Sequence, residues 1–134
     1  MGIGVHGLVF TGTFDEKGIV TAVEGAERAG FDILELPLMD PDNFDSKMAR
    51  RIIDNSGLSV TASLGLQNST DISSTDAATV EAGRTVLMKC LDHLAEMGGS
   101  HLCGVLYSAM GKYSAPATEA GIANSQRVIT ELSE

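Results

Sequence analysis

A short apolar run followed by an amphipathic segment recurs four times along this chain, with the apolar runs starting near residues 3, 31, 58 and 100. Where the end of an amphipathic segment is visible, it closes on glycine. Bounded apolar runs of this length read as buried strands, and apolar residues at a spacing of three and four read as helices. Strands separated by helices cannot pair as tight hairpins, so strict alternation implies a parallel sheet with right-handed crossovers. Two architectures satisfy that pattern: a small open α/β sandwich of flavodoxin type, or half of an eight-fold barrel. A complete barrel needs about 250 residues, and this chain has 134.

Local signals divide the chain accordingly. The first strand is expected over Ile3 to Phe10, and the second over Phe31 to Leu36, stopped by Pro37. The third is expected over Leu58 to Leu64, and the fourth over His101 to Leu106, entered through Gly98-Gly99. Asp15 and Asp45 are placed to cap the first two helices, because a carboxylate can accept an orphan N–H of the first turn. Gly30 stands where a left-handed C-cap is wanted, and Gly57 and Gly98 are read as the ends of the second and third helices. Ile19, Ala22, Val23 and Ala26 form one inner stripe, and Met48, Ile52 and Ile53 the next. The longest helix, near Asp76 to Met97, carries Val80, Leu87, Leu91 and Leu94, widened by Val86, Cys90 and Met97. Ile122, Ser125, Ile129 and Leu132 mark a fourth helix beyond the loop that holds Tyr113 and Pro116.

Composition narrows the partners. A net charge of −9 with scattered basic residues argues against nucleic acid, whose recognition needs clustered Lys and Arg. No apolar run approaches the roughly 20 residues of a membrane span, and the N-terminus lacks a charged signal-peptide region. Cys90 and Cys103 fall in apolar contexts without a CxxC spacing, so both are expected to be buried, reduced and structural, which suits a cytoplasmic protein.

If the sheet is parallel, the loops after its strands share one rim, where α/β proteins place their ligands. His6, Glu35, Ser63 and Tyr107 would stand at or near it. Glu35 is either an ion pair closing a strand end or a carboxylate holding a sugar hydroxyl or a neighbouring histidine, since a charge within an apolar strand needs a partner. His6 is either a satisfied core histidine or a catalytic one. His93 within a helix and His101 at the opposite rim read as structural. The three histidines offer no HxH or HExxH spacing, so no metal site is expected. Gly2-Ile3-Gly4 sits inside the first strand and is no dinucleotide fingerprint, and Asp71 to Asp76 reads foremost as a loop with an N-cap.

Several stretches together resemble the N-terminal half of the ketose 3-epimerases, within the xylose-isomerase-like sugar isomerase/epimerase superfamily. They are Gly4-Val-His-Gly-Leu-Val-Phe10, Ala29-Gly-Phe-Asp-Ile-Leu-Glu-Leu36, Thr61-Ala-Ser-Leu-Gly-Leu66, Asp71-Ile-Ser-Ser74 leading to Asp76, and Gly104-Val-Leu-Tyr-Ser108. The resemblance runs through nearly the whole chain in order. It implies a (β/α)₄ half of a TIM (β/α)₈ barrel over residues 1–134, helices outside. It also implies a divalent metal, usually manganese, that binds the ketose O2 and O3, with two glutamates exchanging the C3 proton through an enediolate. In the family the metal ligands and both glutamates come from strands five to eight, so neither catalytic nor metal residues are expected within this chain, which alone would be inactive.

What the resemblance leaves here is a substrate-binding wall. His6 aligns with the strand-one aromatic that packs on the sugar, and Phe14 with the aromatic of the first loop. Ser63, Val105 and Met110 align with other pocket positions, and Glu35 and Tyr107 complete the expected set. His6 stands in place of a Tyr or Phe, and Met110 in place of a Trp, so substrate preference does not carry over. The expected partners are a small ketose and either a second copy of the chain or the C-terminal half-barrel. The alternative function is a non-catalytic half-barrel that binds a ligand or assembles with a second chain.

Overall fold

A computed structural model describes residues 2–111 and 115–133. In order come β1 (Gly4–His6), a 3₁₀ turn (Gly7–Val9), α1 (Glu16–Ala29), β2 (Ile33–Pro37), α2 (Ser46–Ile53) and β3 (Ser59–Leu66). A second 3₁₀ turn (Asn68–Thr70), α3 (Ala77–Met97), β4 (Leu102–Ala109) and α4 (Glu119–Leu132) complete the chain. Tyr113, which the sequence puts in the loop after β4, lies outside the described residues.

The sheet order is β1-β2-β3-β4. β1 pairs with β2 and β2 with β3 in parallel, in a register that sets His6 beside Glu35 and Pro37 beside Ser63. Beside β3, the bonds from Ala62 N to His101 O and from Met110 N to Leu66 O advance in the same direction along both chains, as parallel neighbours require. A doubly wound open sheet reverses its strand order at a switch point. This sheet runs strictly in sequence, so the flavodoxin-type alternative falls. The fold is an α/β fold of four parallel βα units, the (β/α)₄ half of a TIM barrel.

The chain divides into two compact units, Met1–Ser63 with Cys90–Cys103, and Leu64–Lys89 with Gly104–Glu134. The first buries the α1 stripe Ile19, Ala22, Val23 and Ala26 together with Leu34, Leu36, Met48, Ala49, Val60 and Ala62. Along β2 and β3 the alternate residues Ile33, Glu35, Thr61 and Ser63 stay half-buried, so one sheet face is packed and the other remains accessible. The second unit is built on Leu64, Leu66, Ile72, Val80, Leu87, Ala109 and Val128.

The helix caps follow the local chemistry. Asp15 accepts Gly18 N at 2.8 Å and Asp45 accepts Met48 N at 2.9 Å, while Gly30 closes α1 at φ 78°. Other expectations need correction. β1 is only three residues long, because the His6 side chain captures the N–H of Leu8 and Gly7 O accepts from both Phe10 and Thr11, turning the chain early. α2 stops at Ile53, ahead of Gly57, since Asn55 and Ser56 side chains take the carbonyls of Arg51 and Ile53. β3 and β4 run on to Leu66 and Ala109, past their expected ends.

In α4 the buried positions are Gly121, Ser125 and Val128, whereas Ile122 and Ile129 face outward, because the same 3.6-residue period fits a stripe rotated by one residue. Cys90 is buried, with its thiol pushed up to about 11 by burial. Cys103 is exposed, contrary to expectation, because it lies on a strand whose apolar run is not covered on both faces.

Gly83 sits in mid-α3, where alanine would ordinarily add about 1 kcal/mol of helix stability. A Cβ there would lie 2.2 Å from the Thr70 carbonyl oxygen and 2.7 Å from Ile72 Cγ2. Gly83→Ala should therefore destabilise the protein by about 1–3 kcal/mol in equilibrium urea unfolding, as overpacking does. A gain in stability would refute this packing.

Candidate functional site

In the first unit, the last residue of β1 meets side chains from the next two strands. His6 Nε2 lies 3.2 Å from Ser63 Oγ and 3.5 Å from Glu35 Oε1, and the histidine and glutamate side chains are 34% and 29% exposed. Leu8 N donates to His6 Nδ1 at 3.1 Å. A backbone N–H can only donate, so Nδ1 is the acceptor and the neutral ring carries its proton on Nε2. Glu35 thus stands beside a neighbouring histidine. Phe14 comes back over the turn after β1, where a Cβ added to Gly7 would lie 2.8 Å from its ring.

The serine, histidine and carboxylate do not form a nucleophilic triad. In a triad the serine and the acid engage opposite ring nitrogens, and Nε2 must be free to take the serine proton. Here both lie on the Nε2 side and Nδ1 is occupied by the backbone. The arrangement can donate and accept hydrogen bonds to a polar ligand, and it keeps an apolar ring nearby.

In the second unit, Val105 is half-buried on β4 and Tyr107 is exposed two residues on. Met110 follows the strand, exposed, with its sulfur over Gly65, where a Cβ would lie 2.7 Å away. Tyr107 borders a cavity of about 530 Å³ with Ser73, Thr118, Ile122 and Ser125, and its carbonyl accepts the Ser125 hydroxyl. Val105 and Met110 do not line that cavity.

No protein-family model matches the chain. All of it aligns at 49% identity with the ketose 3-epimerase of Arthrobacter globiformis, covering 46% of that relative. The L-ribulose 3-epimerase of Methylomonas sp. (strain DH-1) is 41% identical over 98% of the chain and 46% of its own length. The crystal structure of the D-allulose 3-epimerase from Methylomonas sp. in complex with D-allulose superposes with a TM-score of 0.94 at 41% identity, over 98% of this chain and 46% of that one. The chain matches the N-terminal half of the ketose 3-epimerases. It spans about half the length of the curated relatives it matches.

The sequence-derived residues fall into two groups. His6, Glu35 and Ser63 converge with Phe14 nearby in one unit, and Val105, Tyr107 and Met110 belong to the other. Among the described residues no three His, Cys, Asp or Glu side chains are placed to hold a metal ion. His6 and Glu35 would supply two groups, and because Nδ1 accepts a backbone N–H the neutral imidazole carries its proton on Nε2, the nitrogen that faces Glu35, which does not fit a divalent cation site. No described helix is long and apolar enough to cross a membrane. His93 is tied to Ser46 and to the Pro41 carbonyl, and His101 is exposed beside Ser100.

One residue plays a part that the sequence reading passed over. Asp71, expected foremost as part of a loop, is 4% exposed, and its Oδ1 accepts Ser73 N at 2.8 Å, Ser73 Oγ at 2.6 Å and Ala109 N at 3.2 Å. It fastens the loop after β3 to the end of β4. The only sequence signal is an Asx-turn pattern, Asp followed two residues later by Ser. Asp71→Ala leaves the Ala109 N–H without that acceptor, and should cost about 1–3 kcal/mol in urea unfolding. Asp71→Asn, which retains an oxygen, should recover part of the loss, and wild-type stability in the alanine variant would contradict this role.

Proposed function

We propose that this chain is the substrate-binding half of a metal-dependent ketose 3-epimerase, which exchanges the C3 proton of a small ketose through an enediolate. The observation that carries this reading is the whole-length match at 49% identity to a ketose 3-epimerase. The convergence of Glu35 and Ser63 on His6, the last residue of β1, supports it, because α/β barrels receive their ligands at the C-terminal ends of their strands. The metal and the proton-exchanging carboxylates belong outside residues 1–134. The chain contributes recognition: in one unit His6, Glu35 and Ser63 offer polar contacts with Phe14 nearby, and in the other Val105, Tyr107 and Met110 offer apolar and aromatic ones.

On this reading His6 selects the substrate and is neither acid nor base. Its Nε2–H faces groups of the wall, and Nδ1 is unavailable. His6→Phe in the full-length protein should raise KM and change the ranking of ketoses, while kcat on at least one ketose stays within about tenfold, or roughly 1.4 kcal/mol. A loss of kcat of about a thousandfold or more on every ketose, with folding intact, would make His6 catalytic and overturn the assignment.

Exposed apolar side chains on either side of β1 bear on assembly. Ile3, Leu8 and Val9 are exposed at 64%, 57% and 68%, and β1 and β4 are the outer strands of the sheet. Exposed apolar side chains beside unpaired edges favour association. The 134-residue chain alone should associate, as a homo-oligomer or with a C-terminal half-barrel supplied in trans. A monodisperse monomer in light scattering at micromolar concentration would refute this.

A further inference from the structure

The His6–Ser63 contact has a direction. Leu8 N–H donates to His6 Nδ1 at 3.1 Å, so Nε2 holds the ring proton, and that nitrogen is 3.2 Å from Ser63 Oγ. Glu35 Oε1, at 3.5 Å, is the more distant acceptor. When Nε2–H donates to Ser63, the serine oxygen is the acceptor, and the hydroxyl hydrogen of Ser63 must turn to some other acceptor. Ser63 is half-buried on the accessible alternation of β3, whose other face carries the packed Val60 and Ala62. The geometry points to a one-way hydrogen-bond chain, Leu8 N–H to His6 to Ser63, that presents the Ser63 O–H as a donor to an oxygen of the bound sugar.

His6 is then a positioning residue that acts through Ser63. The inference rests on reading this face as the ketose-binding wall, and adds how that wall distinguishes an oxygen acceptor from a bare carbon. A ligand with a hydroxyl or carbonyl oxygen opposite Ser63 gains a bond. One lacking it leaves the serine hydrogen unpaired, and a site built around a polar group discriminates more strongly than an apolar pocket does.

Two measurements test it separately. In protein carrying nitrogen-labelled histidine, long-range proton–nitrogen correlation spectra at alkaline pH should show His6 as the Nε2–H tautomer, with His6→Phe identifying its signals. His93 is the internal reference, since its Nε2 faces the Pro41 carbonyl at 2.8 Å, an acceptor that obliges Nε2 to hold the proton. An Nδ1–H tautomer at His6 would overturn the chain whatever the enzyme does. Kinetically, Ser63→Ala in the full-length protein should raise KM about three- to tenfold with a smaller change in kcat, the loss expected for one neutral hydrogen bond. His6→Phe combined with Ser63→Ala should be no worse than the more severe single variant, because both remove one chain. His6→Gln, which keeps a side-chain N–H, should recover part of the His6→Phe loss. Additive effects, or an unchanged KM in Ser63→Ala, would overturn the inference. A parent protein that epimerises no ketose would instead sink the functional reading, while the tautomer still decides the hydrogen-bond chain.

Discussion

Parallel strands cannot be joined by a tight turn; each return needs a crossover of a dozen or more residues. That constraint organises this molecule. Every strand is followed by a helix, and consecutive strands become neighbours in the order β1-β2-β3-β4. Because the strands run the same way, residues near their C-terminal ends come together though far apart in sequence. His6 and Ser63 are separated by 57 positions and lie within hydrogen-bond distance. The register that sets His6 beside Glu35 and Ser63 beside Pro37 determines which side chains share a face, since a slip of one residue would turn the whole set over.

The chemistry of the site follows from what the ladder leaves unpacked. Leu34, Leu36, Val60 and Ala62 are buried, while their alternates Glu35, Thr61 and Ser63 remain half-accessible. Polar side chains are tolerated there because they reach one another or solvent, which a fully buried strand would not permit. The early turn after β1 then gives the imidazole its orientation: a backbone N–H two residues downstream occupies Nδ1, and Nε2 is turned towards β2 and β3. A ring held in that manner is suited to recognition and poorly suited to shuttling protons.

Local chemistry was legible from residue types. Asp15 and Asp45 cap their helices and Gly30 adopts a left-handed conformation as expected, because each depends on atoms within four residues. Periodicity located all four helices, yet in α4 it chose Ile122 and Ile129 where the structure buries Gly121, Ser125 and Val128. A 3.6-residue repeat gives a stripe but not which of two adjacent stripes meets the neighbouring element. Gly57 looked like a helix end, and the carbonyls were instead taken by Asn55 and Ser56. Cys103 looked like a core residue because its neighbours are apolar, though one face of its strand is uncovered.

By itself, then, the sequence determined the alternation of strand and helix, the parallel sense of the sheet, and the helix caps. Those features arise from periodicity and from contacts within a turn of helix, which a linear string contains. Only the tertiary structure decided the sequential strand order, the convergence of His6, Glu35 and Ser63, the ring nitrogen that carries the proton, and the burial of Asp71 between Ser73 and Ala109. Each of these depends on partners brought from distant parts of the chain, whose distances are set by the β-ladder and by packing rather than by neighbouring residues.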